Sequence, residues 1–171
     1  MKKYEFTGET KEIRLLFRTA TLHRIRATVA FGIVEVGDLG GWIEKEENLS
    51  HEGKAWVCGD AKVWGNAKVC GDAEVCGDAE VCGDAKVFSA SHVLVIGAIG
   101  SRNDFTTFYR DKDNEITVKC GCFLGKIDRF LEKVTQTHGD SKYALVYRAA
   151  VEVAKLQIDL SGEAPKDADE E

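Results

Sequence analysis

Two short loops carry the residue types that hold a small anion: Gly100-Ser101-Arg102-Asn103 and Gly121-Cys122-Phe123-Leu124-Gly125. Ser101, Arg102 and Asn103 offer hydroxyl, guanidinium and amide donors, and an arginine fork matches a carboxylate or phosphate. The second loop leads into a predicted helix, whose free N–H groups and positive dipole end suit the same ligands. Thr106 and Thr107 lie close in sequence, with Tyr109 and Arg110 slightly farther along. The candidate binding set is therefore Ser101, Arg102, Asn103, Thr106, Thr107, Arg110, Gly121 and Phe123. A purely structural alternative stands beside it: Arg102 pairs with Asp104 or Asp128, and Ser101 only makes a turn.

Cysteine and histidine are the other chemistry-bearing types. Cys58, Cys70, Cys76 and Cys82 share one site of a repeat with Trp64 and Phe88. Structural zinc needs four converging ligands, and cysteines spread over flat faces do not converge, so no metal is expected. Without a secretory signal the thiols are expected to be reduced. The repeat site instead reads as an apolar outer surface covered by flanking segments or by sister subunits, and it predicts a homo-oligomer, a trimer or higher. Cys120 and Cys122 read as small buried side chains near a strand end. The candidate bases are His23, His51, His92 and His138, and none falls on a loop projecting from the repeats. No Ser-His-Asp set, glycine-rich nucleotide fingerprint or carboxylate pair is legible, so a non-catalytic protein without cofactors is expected.

What positions these residues is a six-residue period. Val recurs from Val57 to Val87, and Ala two residues before each, from Ala55 to Ala85. Residues i and i+2 of an extended strand share a face, so Ala and Val point inward together. Gly-Asp or Gly-Asn closes each unit with the bend a corner needs. A strand this short cannot bury its face alone, and stacking is the remedy. With three units per turn, residues eighteen apart stack: Cys58 with Cys76, Trp64 with Cys82, Cys70 with Phe88 and Lys62 with Glu80. The expected divisions are an N-terminal β cap over 1–36, repeats over 37–90, an α+β module over 91–160 and a disordered acidic tail over 161–171.

In the α+β module, His92–Ile99, Asp104–Arg110 and Glu115–Cys120 read as strands, with a turn at Asp111–Asn114. Two helices follow. One has an apolar stripe of Ile127, Phe130, Leu131 and Val134 and ends at Gly139; the other is capped by Asp140 or Ser141. The predicted order is β-β-β-α-α. A three-strand meander brings the loops at 100–103 and 121–125 to one edge, beside the start of the first helix.

The chain of 171 residues has net charge −6, unevenly placed. Residues 1–31 carry seven Lys/Arg against three Asp/Glu, whereas residues 162–171 hold five acids against one Lys. Nothing is basic enough to require nucleic acid. No long apolar run suits a membrane helix, and a cytoplasmic protein is expected.

The hexads resemble those of left-handed parallel β-helices, in which a large aliphatic residue is followed four positions later by a small one, as in Val57–Ala61 and Val63–Ala67. That likeness implies a mainly β fold: a short left-handed parallel β-helix of about three coils, with an N-terminal β cap and the α+β module. Many such proteins are acyltransferases using a histidine base between subunits. Beyond the hexads, HRIRATVAFG, VGDLGGWIEKEENLS, GSRNDFTTFYR, CGCFLG and THGDSKYA resemble an uncharacterised group of hexapeptide-repeat proteins encoded by bacterial phages and prophages. The chain departs from that pattern at Arg14–Thr21. The resemblance implies an accessory protein in the host cytoplasm. Its expected role is counter-defence, as a sponge that sequesters a small phosphorylated ligand such as a nucleotide immune signal. The alternatives are inhibition of a host defence protein or nuclease, or acyl transfer.

Overall fold

The computed structural model describes residues 1–162. The chain opens with a long antiparallel hairpin, β1 (Tyr4–Arg14) and β2 (Thr19–Ala27), and β3 (Leu39–Ile43) pairs antiparallel with β2. Six two-residue strands follow at six-residue intervals: β4 (Trp56–Val57), β5 (Lys62–Val63), β6 (Lys68–Val69), β7 (Glu74–Val75), β8 (Glu80–Val81) and β9 (Lys86–Val87). They pair in parallel eighteen residues apart, Val57 opposite Val75, Val63 opposite Val81 and Val69 opposite Val87. Their valines and the alanines two residues before them are buried in one cluster, as the i, i+2 pattern requires. The chain then forms β10 (Val93–Ile99), β11 (Asp104–Arg110), β12 (Ile116–Cys120), β13 (Phe123–Lys126), α1 (Ile127–His138) and α2 (Lys142–Gln157).

Two expectations are corrected by this organisation. The first is the short left-handed parallel β-helix of about three coils. The chain is mainly β, with several small mixed and antiparallel sheets and two C-terminal helices. One sheet has the order β1-β2-β3-β5-β8; β4-β7 and β6-β9 are separate two-stranded sheets; β10-β11-β12-β13 is antiparallel. Each hexad supplies only two residues of strand, so β4 and β6 each find one partner. β5 also pairs with β3, whose other edge accepts β2, and that sheet thereby becomes mixed. The segment after β3 folds as a 3-10 turn at Glu46–Asn48, held by the Asn48 side chain on the carbonyls of Gly65 and Ala67.

The second correction is the β-β-β-α-α order. Phe123–Lys126 is a fourth strand, antiparallel to β12, so the module is β-β-β-β-α-α.

The cysteines differ from expectation: Cys122 is exposed and Cys120 only half-buried, where both were expected to be buried. Cys58 and Cys76, expected as reduced thiols, are joined by a disulfide, their Cα atoms 4.6 Å apart in the eighteen-residue register. Trp64 and Cys82 pack together with Leu22 and Trp42, and Ile13 and Leu15 lie against them. The hairpin β1–β2 therefore covers that outer column within one chain.

From Thr106 to Arg110, β11 is buried on both faces. Tyr109 joins the Ala/Val core and donates to the Cys82 carbonyl at 2.9 Å, and Thr107 accepts from the Glu80 N–H at 3.0 Å. Phe108, on the opposite face, packs with Phe130 and Val151 of the helices. The strand thus ties the hexads to the helical layer.

At its end, buried His92 accepts from the Phe88 N–H at 3.3 Å and stands edge-on to the Phe88 ring. Burial, then the nearby Arg110 charge, holds its pKa below the ordinary 6.5, and burial does the same to His51. A depressed histidine pKa means that the unfolded chain takes up protons first, so stability falls as pH drops below about 6.5. Urea midpoints measured between pH 5 and pH 7.5 should show this slope, and His92→Gln should make it shallower; an unchanged slope would remove His92 from the account.

Candidate functional site

The strand directions decide what meets at the two loops. β10 runs toward Ile99, and β11 leaves from Asp104, its partner. β12 returns to the same end, with Cys120 opposite Thr106. β13 then starts there at Phe123 and departs, so that Lys126 lies opposite Thr117 at the far end. α1 consequently begins away from the loops and comes back to them with its C-terminal half. The expected helix N-terminus is therefore not at this site, because the extra strand reverses the helix.

The loops themselves do converge. Arg102 reaches over the second loop, with Nη1 3.3 Å from the point where a Cβ on Gly121 would stand. A cavity of about 170 Å³ lies between the loops and the helices. Ser101, Arg102, Gly121 and Phe123 line it together with Asp104, Cys120, Cys122, Phe130, Lys133, Thr137, His138 and Tyr147. Phe130 anchors the aromatic wall, 5.4 Å from the Phe123 ring and 5.6 Å from that of Tyr147. The His138 ring stacks on Tyr147 at 5.7 Å. Gly100 makes room for this wall: a Cβ there would fall 1.9 Å from the Tyr147 hydroxyl oxygen.

Four of the eight expected residues are thus gathered, and four are not. Asn103 is a turn residue at φ 47°, its N–H directed to the Gly100 carbonyl. Thr106 is buried beneath the cavity, donating to the Cys120 sulfur at 3.4 Å. Thr107 faces the hexads through Glu80. Arg110 is at the opposite end of β11, where it donates to the carbonyls of Ser161 and Gly162 and lies over the Phe88 ring. Missing from the expected set are Asp104, Cys120, Cys122, Phe130, Lys133, Val134, Thr137, His138 and Tyr147. The spacing of Phe130, Lys133 and Thr137 at i, i+3 and i+7 is the only sequence signal that joins the helical members.

Electrostatically the site is mixed but cationic. Arg102 and Lys133 face it against Asp104. The negative end of the α1 dipole opposes this, yet Arg148 occupies that end by donating to the Gly139 carbonyl at 3.0 Å. Burial, followed by the Cys120 thiol, pushes the Tyr147 hydroxyl up to about 12, so it remains a donor near neutral pH. No protein-family model matches the chain, and no curated protein matches it significantly. Among the described residues, no three His, Cys, Asp or Glu side chains converge as a metal requires, and no helix is long and apolar enough to cross a membrane.

A second cavity, of about 290 Å³, lies on the hexad side of the sheet and shares Asp104 and Gly121 with the first at the sheet edge. Its walls include Trp64 and Phe105, and Arg14, Lys62 and Lys119 stand with Asp78 and Glu80. Lys119 is held there by the Gly121 carbonyl and by Glu80 at 3.6 Å.

Proposed function

We propose that the protein is a non-catalytic binding module that holds a small anion with a ring-sized apolar body in the cleft between residues 100–104, 120–123 and the end of α1. One observation carries the reading: Arg102 and Lys133 stand at an aromatic-walled cavity of about 170 Å³. A dry cavity of roughly 150 Å³ accepts a benzene ring, so one ring fits beside the cations. A whole nucleotide does not fit this cavity alone; its phosphates would have to round the sheet edge at Asp104 and Gly121 to reach Arg14, Lys62 and Lys119 on the hexad side. Sequestration of such a signal by a phage-borne counter-defence protein in a host cytoplasm belongs to the same proposal and rests on the resemblance of motifs such as HRIRATVAFG, GSRNDFTTFYR and THGDSKYA to phage-encoded proteins.

Thermal unfolding with phenyl phosphate, benzoate, inorganic phosphate and a series of nucleotides, each at millimolar concentration, tests it. Binding stabilises the native state by mass action, about 2.7 kcal/mol at 100 times Kd, which is roughly 5–11 °C for a chain of this size. A ring-bearing anion should raise the melting temperature, and Arg102→Ala should abolish most of the shift. No shift with any compound, or an equal shift in the variant, overturns the reading.

A second reading follows from the hairpin tip. Leu16 and Phe17 are 86% and 94% exposed. Two large apolar side chains at a projecting turn suit contact with another protein, either a host effector or a second copy. Leu16→Ser/Phe17→Ser should then abolish capture of that partner while leaving ligand-induced melting shifts unchanged; loss of neither removes this reading.

A further inference from the structure

Two thiols line the ligand cleft, and the proposed binding makes no use of them. Cys120 and Cys122 share the cavity of about 170 Å³ with Arg102 and Lys133. Cys120 pairs with Phe123 where β12 turns into β13, so Gly121 and Cys122 are the two residues of a hairpin loop. Cys122 is exposed there, whereas Cys120 is half-buried and Cys82 is sealed at 1% exposure. Cys58 and Cys76 are already joined and offer no thiol. Exposure beside cations is the setting in which a cysteine reacts as its thiolate.

Cys120 is placed for a different part. Its sulfur accepts the Thr106 hydroxyl at 3.4 Å and hydrogen-bonds to Tyr147, and these two bonds hold it against the loop. Gly121 stands between the cysteines at φ 55°, a left-handed turn residue. Extended, residues two apart have Cα atoms up to about 7 Å from one another. A turn shortens that into the roughly 4.4–6.8 Å that a disulfide spans. The pair can therefore close on itself.

We propose that Cys122 and Cys120 form a thiol–disulfide exchange site for a small disulfide that carries carboxylates. Arg102 and Lys133 attract the carboxylates, and the exposed position of Cys122 lets the rest of the molecule stay in solvent. The Cys122 thiolate, its proton given to water, attacks one sulfur of the disulfide R–S–S–R. A Cys122–S–S–R bond forms, the original S–S bond breaks, and one RS⁻ leaves with the bonding pair and takes up a proton. Cys120, deprotonated in turn, attacks the Cys122 sulfur, expels the second RS⁻ and leaves a Cys120–Cys122 disulfide. In sum, the two thiols are oxidised by two electrons and two protons, and the small disulfide is reduced to two RSH. Each chain reacts once and nothing turns over. The step rests on the proposed anion site through Arg102 and Lys133, not on its aromatic wall.

Anionic glutathione disulfide and cationic cystamine, each added to the full-length protein at low salt, test it, with mass spectrometry locating every modified cysteine. Glutathione disulfide should react at Cys122 about tenfold faster than cystamine, the low end of electrostatic steering. Arg102→Ala/Lys133→Ala should remove that preference. The wild-type product should be the Cys120–Cys122 disulfide, whereas Cys120→Ser should accumulate the mixed disulfide at Cys122 and Cys122→Ser should leave Cys120 unreacted. First reaction at another cysteine, equal rates with the two disulfides, or a mixed disulfide that persists in wild type overturns the proposal. Phenyl phosphate, tested alongside, separates the two readings of the cleft. Its binding without any exchange removes the thiol site alone; exchange with these features but no phenyl phosphate binding removes the ring-binding reading alone.

Discussion

Asp111→Ala is expected to cost about 3–5 kcal/mol, because it removes a buried carboxylate and the four hydrogen bonds it accepts, each worth about 1 kcal/mol or somewhat more. The Asp111 side chain is 5% exposed. One oxygen accepts from the N–H groups of Asp113 at 2.9 Å and Glu115 at 3.2 Å; the other accepts from the Thr117 hydroxyl at 2.6 Å and the Lys126 ammonium at 2.9 Å. It therefore closes the turn between β11 and β12 and ties in the end of β13, beside the backbone bridge from Asp111 to Ala85 of the hexads. At 2–4 °C per kcal/mol, the melting temperature should drop by about 6–20 °C. Burial pushes this carboxyl upward, but hydrogen bonds from Thr117, Lys126, Glu115 and Asp113 outweigh it and hold the pKa below the usual aspartate value. A depressed carboxyl contributes stability above its unfolded pKa of about 3.9 and loses it as pH falls through the folded value. Asp111→Asn should keep part of the turn while flattening this acid limb. A melting temperature for Asp111→Ala within about 2 °C of wild type would contradict the assignment.

Gly41→Ala should be nearly as costly. A Cβ there would lie 2.6 Å from the Ala61 carbonyl oxygen and 2.8 Å from a Val57 methyl. That carbonyl accepts from the Trp42 N–H at 3.0 Å, the bond that joins β3 to β5. The backbone has to give way, and the join between the antiparallel hairpin and the hexads goes with it. Overpacking of about 1–3 kcal/mol and one or two hydrogen bonds of about 1 kcal/mol each add to roughly 2–5 kcal/mol. Urea midpoints measure it directly. Asp72→Ala, at an exposed corner, should stay within about 0.5 kcal/mol, so an equal loss in both variants would refute the packing argument.

The contrast between these sites shows which structure is readable from residue order. The Ala/Val face is legible because a two-residue alternation repeated every six residues states both conformation and burial, and Val63 opposite Val81 follows from counting. The helix stripes at Phe130 and Val134 and at Tyr147 and Val151 are legible for the same reason. β13 is not. Phe123-Leu124-Gly125-Lys126 is too short to show a period and contains a glycine, and its strand exists only because β12 offers an unpaired edge. Missing that strand inverted α1, so the cleft wall of Lys133, Thr137 and His138 stayed hidden while Ser101, Arg102, Gly121 and Phe123 were found. Asp111 was visible as a turn residue, but its partner Lys126 lies fifteen residues on, a distance no local pattern spans. The joining of β3 to both β2 and β5, which overturns the expected repeat architecture, is likewise a property of edges rather than of any hexad.

The central claim is that the cleft beneath Arg102 holds a small ring-bearing anion. Its most direct test is a titration of the ¹⁵N-labelled full-length protein with phenyl phosphate, followed by amide shifts. Saturable changes confined to residues 100–104, 120–123 and 133–138, and absent in Arg102→Ala, are the predicted result. Changes that fail to saturate, that centre elsewhere on the molecule, or that persist unaltered in Arg102→Ala would contradict it.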